Sequence, residues 1–184
     1  KQLKLSLLPA TPALAGAEVE LVNELAREGR LAEALAPLLD RYDYILIDCP
    51  PSLGLLTLNG MVAAKDGLII PVQCEYLALE GLSMLMDTVE RVKRAVAPKL
   101  KVRGVLLTMY DGRTNLSQDV VDEVKRYFKN QVFATIIPRS VRLAEAPSHG
   151  LPILAYFPSS PGAAAHKELA EEVLRQDGVK VAVH

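Results

Sequence analysis

The 184 residues contain no tryptophan, two cysteines and 5% aromatic residues. Two isolated cysteines, Cys49 and Cys74, make neither a disulfide framework nor a zinc site. They read as reduced structural thiols, which suits a cytoplasmic protein. No apolar run approaches the roughly 18 residues that a membrane-spanning helix needs, and no signal peptide is visible in these residues. The 21 lysines and arginines against 22 acids leave a net charge of -1. That balance excludes a polybasic nucleic-acid binder, so any such contact must come from a local patch. His149 and His166 lack a spacing partner for a metal. Ser52, Ser140 and Ser148 lie in no G-x-S-x-G nucleophile elbow, which disfavours a serine hydrolase. Neither G-x-G-x-x-G nor G-x-x-x-x-G-K-[ST] occurs, so no dinucleotide fingerprint or phosphate-cradling loop is present.

What is there is half hydrophobic, enough to bury a sizeable core in one domain spanning residues 1–184. Apolar strand-like runs alternate with helical periodicities at roughly 30 residues per unit, which argues an α/β fold with a mainly parallel sheet covered on both faces. Strands are expected at 3–8, 44–47, 67–72, 102–109 and 132–137. Helices are expected at 17–28, 31–39, 55–64, 80–96, from a cap at Asn115 through Phe128, and 161–176. Leu116, Val120, Val121, Val124, Tyr127 and Phe128 form the expected buried face of the helix that Asn115 starts. Residues 139–150 read as irregular, with one helical turn around Leu143. The tail from Val179 alternates weakly.

The chain is organised around Tyr44–Ile47, four apolar or aromatic residues without polar alternation, a pattern suited to a strand buried on both faces. It ends in Asp48 and the turn-forming Pro50-Pro51. A carboxylate at the end of a parallel strand lies where α/β folds bind ligands. Two readings stand here: an acid that holds a nucleotide-bound magnesium through water, or a plain strand followed by a polar turn. Four expected strand-end loops, starting at Asp48, Gln73, Tyr110 and Pro138, also gather Glu75, Asp111, Arg113, Arg139, Arg142 and Glu145. From residue 113 to 142 there are six lysines and arginines against three acids. This is either a solvated face or a phosphate-binding one, since guanidinium forks donate in pairs. No aromatics interleave with these charges, so a nucleic-acid contact here would follow the backbone and ignore sequence.

The blocks Leu8-Pro-Ala-Thr-Pro, Leu14-Ala-Gly-Ala-Glu-Val-Glu-Leu, Ile47-Asp-Cys-Pro-Pro-Ser, Pro71-Val-Gln-Cys-Glu-Tyr-Leu-Ala-Leu-Glu-Gly, Thr108-Met-Tyr-Asp-Gly-Arg-Thr-Asn-Leu and Ile137-Pro-Arg-Ser-Val-Arg-Leu-Ala-Glu-Ala-Pro-Ser, in this order, resemble the ParA/Soj family of chromosome- and plasmid-partitioning ATPases. The resemblance covers essentially the whole chain and implies a P-loop NTPase-like fold. It implies that Asp48 is the acid near magnesium, and that Thr108, Met109 and Pro138 form part of an adenine pocket. It places Gln73 and Glu75 facing a second subunit across ATP, and it implies that Arg113 and Arg142 bind DNA without sequence preference. It further implies a homodimer, a ParB-like partner that stimulates hydrolysis, and a cytoplasmic, nucleoid-associated location. The family's K-G-G-x-G-K-T and D-x-D-P-Q motifs do not occur in these residues. The chain is therefore expected to be the carboxyl-terminal portion of such a protein, truncated or processed, with no catalytic residue of its own and no ATP hydrolysis alone. The strand of Asp48 would lack its neighbour and be covered by dimerisation or swapping. Two alternatives are a MinD-like membrane-associated division protein, which the tail's single lysine disfavours, and a nucleotide-free module that binds DNA or a partner.

Overall fold

The computed structural model describes residues 5–180. They fall into two compact units, one built from the chain up to Asp66 with Thr88–Leu100, the other from Gly67–Asp87 and the chain from Lys101 on. In the first unit, a 3-10 turn at Pro12–Gly16 leads into α1 (Ala17–Glu20). Further 3-10 turns at Leu21–Asn23 and Arg27–Gly29 precede α2 (Arg30–Leu35), and Pro37 turns the next residues, Ala36–Leu38, into 3-10 helix. The expected helix at 17–28 is thus a series of short turns, broken at Ala26 by a left-handed φ of 52°. α3 (Leu55–Ala63) follows.

Two expected strands are absent here. Leu5–Leu8 and Tyr44–Ile47 lie in no strand, and residues 3 and 4 fall outside the described residues. Tyr44–Ile47 is also far from buried, with Leu46 88% exposed. A parallel strand is stable only when neighbours take up its backbone groups, and among the described residues this run joins no ladder or bridge.

The second unit holds the parallel core. β1 (Leu68–Gln73) pairs in parallel with β2 (Val102–Thr108), from Ile69 opposite Gly104 to Gln73 opposite Thr108. Among the described residues β1 is an edge strand, a position that accommodates Pro71 without a ladder N–H. α4 (Leu77–Ala95) joins the two strands and α5 (Asn115–Phe128) follows them. Alternation along β2 sets the layers. Val105 and Leu107 face one side, packing with Ile70 and Val72 of β1, Leu82 of α4, and Val120, Val121, Val124 and Phe128 of α5. Leu106 faces the other side, against Phe133, Ile137 and Ala165 of α8 (Pro161–Gln176). Helices therefore cover both faces of β2, as the α/β pattern requires.

The buried stripe of α5 is Ser117, Val120, Val121, Val124 and Phe128, a helical 3-4 spacing. Leu116 and Tyr127, expected within it, flank it at 45% and 72% exposure. The cap is Thr114, one residue earlier than Asn115. Its side chain accepts from the Ser117 N–H at 3.3 Å, satisfying one of the donors a helix start leaves open.

On the far side of β2, residues 132–138 run parallel but form only bridges, Val132 with Val105 and Pro138 with Tyr110. The Phe133 N–H donates to the Val105 carbonyl and the Ile137 N–H to that of Leu107, each at 2.9 Å. Four residue steps thus face two, and the surplus bulges outward. Glu172 of α8 takes up the freed groups. Its carboxylate accepts from the N–H of Ala134 at 2.7 Å, the N–H of Thr135 at 3.0 Å and the Thr135 hydroxyl at 2.8 Å. The expected strand at 132–137 is therefore a bulged one whose backbone donors are satisfied by a side chain.

After the bulge come α6 (Val141–Glu145), a 3-10 turn at Ala146–His149, and α7 (Ile153–Tyr156), which sequence periodicity did not reveal. α8 starts as expected at Ser160-Pro161, with the Ser160 hydroxyl accepting from the Ala163 N–H at 3.1 Å.

Candidate functional site

The parallel register aligns the carboxyl ends of β1, β2 and the bridged segment, where open α/β sheets place their ligands. Gln73 stands opposite Thr108, and the Thr108 hydroxyl donates to the Val72 carbonyl at 3.3 Å. The Cys74 N–H donates to the Thr108 carbonyl at 2.9 Å. Met109 follows with φ 55°, a left-handed conformation that is unfavourable for a side-chain-bearing residue and that clusters at functional sites. This reversal sends Tyr110 across to the bridged segment, where its N–H donates to Ile137 at 3.1 Å and its carbonyl accepts from Arg139 at 2.8 Å. Pro138 sits between those two bonds. Thr108, Met109 and Pro138 are thus brought together at one sheet edge, with exposed Gln73 beside them. Ser117 fixes α5 to the same edge by donating from its hydroxyl to the Cys74 carbonyl at 3.2 Å.

Charged side chains line the loops that leave this edge. Glu75 pairs with Arg139 at 2.5 Å. Arg113 donates through Nε and a terminal nitrogen to both oxygens of Asp111, at 2.9 and 2.7 Å, and its N–H adds a third bond at 3.1 Å. Arg113 beside it, and then Arg139 at longer range, hold the Asp111 carboxyl well below the usual range. Arg142 on α6 donates to Glu145 at 2.8 Å and lies over the Phe157 ring, 5.2 Å from its centroid. The Tyr156 hydroxyl also donates to Glu145, at 3.2 Å, and the Tyr156 ring stacks on His149. Glu145 is held below the usual range, chiefly by Arg142. The strand-end loops identified in the sequence contain Asp111, Arg113, Arg142 and Glu145, but their pairing is seen only in the structure. Tyr156 and Phe157 were missed because α7 carries no periodic signal at four residues.

Asp48 belongs to the first unit and is exposed. Its loop is tied to α3. The Thr57 hydroxyl donates to the carbonyls of Pro50 and Ser52 at 3.3 and 2.5 Å. Cys49 packs so closely on Gly60 that a Cβ there would lie 2.4 Å from its sulfur. Among the described residues no three His, Cys, Asp or Glu side chains converge as a metal cluster. A single carboxylate such as Asp48 fits magnesium where phosphates and waters complete the shell.

A family model described as an AAA domain matches residues 1–102. The chain is 56% identical over 176 residues to the chromosome partitioning protein ParA of Myxococcus xanthus, covering 96% of this chain and 62% of that protein. It is 57% identical over 169 residues to the sporulation initiation inhibitor protein Soj of Bacillus subtilis, covering 92% and 66%. The chain therefore spans somewhat less than two thirds of the length of these relatives. Among solved structures, it is similar to a cobyrinic acid a,c-diamide synthase from Mycobacterium smegmatis with bound ADP and magnesium. That match has a TM-score of 0.76 at 40% identity and covers 96% of this chain and 65% of the other.

Proposed function

Because the chain belongs to the ParA/Soj family of partitioning ATPases, we propose that the full-length protein segregates chromosomal or plasmid DNA as an ATP-dependent homodimer. Thr108, Met109 and Pro138 contact the adenine, and Asp48 supports magnesium through water. Gln73 and Glu75 face the second subunit across the nucleotide. Arg113 and Arg142 grip DNA phosphates without reading sequence, placing the protein on the nucleoid in the cytoplasm. A ParB-like protein bound at a centromere-like site stimulates hydrolysis and release. The 184 residues supply no phosphate-cradling loop, so hydrolysis belongs to the full-length protein.

The observation that supports this reading is the convergence of Gln73, Thr108, Met109 and Pro138 at one sheet edge, with exposed Arg113 on the loop after β2 and exposed Arg142 on α6. In the full-length protein with ATP, replacing both Arg113 and Arg142 by alanine is expected to abolish DNA retention at moderate salt while nucleotide binding persists. The slope of log affinity against log salt should fall by about 0.9 for each lost phosphate contact. Unchanged DNA affinity of the double variant would overturn the assignment.

A further inference from the structure

Each arginine assigned to DNA already has an anion of its own. The guanidinium of Arg113 is closed onto Asp111 by two parallel hydrogen bonds, yet the side chain is 86% exposed. Arg142 is bound to Glu145 and remains half exposed. The same planar fork that suits a carboxylate suits a phosphate, so the two anions compete for the guanidinium. Exposed ion pairs are weak, and exchange is therefore feasible.

Both acids are held in place by more than their arginines. The Asp111 carbonyl accepts from the N–H and the hydroxyl of Thr114, each at 3.1 Å, and its own N–H donates to the Ser117 hydroxyl. Glu145 also accepts from Tyr156. When an arginine turns to phosphate, its acid stays nearby and waits for its return. We infer that Asp111 and Glu145 are built-in competitors of DNA, masking Arg113 and Arg142 so that the grip on DNA stays weak and quickly reversible. This rests on the reading of those arginines as phosphate contacts.

The test uses the full-length protein with ATP and a fluorescent duplex of random sequence, at fixed salt. Asp111→Asn and Glu145→Gln keep shape and remove charge. Each is expected to tighten binding roughly two- to fivefold, the span that exposed ion pairs cover. The gain from Asp111→Asn should vanish in an Arg113→Ala background, and that from Glu145→Gln in an Arg142→Ala background. Equal gains with and without the arginine would mean general charge rather than masking, and would overturn the inference. So would unchanged or weaker binding by the acid variants while the arginine variants lose DNA. If the arginine variants bind DNA like the parent protein, the phosphate assignment itself falls, and the masking with it.

Discussion

The carboxylate of Glu172 accepts three hydrogen bonds from the bulge beside β2, and this couples its ionisation to stability. Burial alone would raise its pKa, but the N–H groups of Ala134 and Thr135 and the Thr135 hydroxyl outweigh that effect and lower it from the ordinary 4.5. A carboxyl depressed in the folded state stabilises the protein fully above its unfolded pKa. That contribution is lost as pH falls through the folded value. Glu172→Gln is expected to lower stability by about 1–2 kcal/mol near neutral pH. It should also flatten the loss of stability below about pH 4.5, as read by urea unfolding across pH. An unchanged acid limb would mean that the bulge holds without this charge. No sequence pattern pairs residue 172 with residues 134 and 135, because the link depends on how far the bridged segment bulges.

Helix stripes follow from periodicity alone, and so α3, α4, α5 and α8 lie within a few residues of where their apolar spacing places them. Caps are less legible. Thr114 and Asn115 are both capping residue types, and only the backbone conformation decides that Thr114 is the one outside the helix. Strands depend on partners that may be distant in sequence. The runs that became β1 and β2 found each other, whereas the similar run at Tyr44–Ile47 joins no ladder among the described residues. Gly104 in β2 exists for a neighbour's sake. A Cβ there would lie 2.5 Å from the ring of Phe133, which is almost fully buried. Gly104→Ala is therefore expected to cost about 1–3 kcal/mol through overpacking, although alanine would ordinarily favour an extended backbone over glycine. Thermal or urea denaturation reads this directly. A neutral or stabilising result would mean that Phe133 shifts without penalty.

For the molecule as a whole, the alternation of strand and helix runs and the ordered family blocks gave the α/β class and the location of the sheet-edge cluster. The ion pairs that occupy the candidate DNA-binding arginines required coordinates, since sequence spacing permits such pairs without requiring them. The run Tyr44–Ile47, with Tyr44 and Leu46 exposed and Ile45 and Ile47 half-buried, has a consequence in colloidal terms. It is short, uncharged and rich in residues that favour extended backbone, the composition of an adhesive segment from which aggregates grow. Asp43 and Asp48 stand immediately on either side as charged gatekeepers, and Pro50 and Pro51 follow. Leu46→Lys is expected to reduce light scattering as the protein is concentrated, and Asp43→Asn to increase it. No change in either direction would show that the run is shielded in solution. A rise in scattering with Asp43→Asn would assign the charges flanking this run a role against self-association.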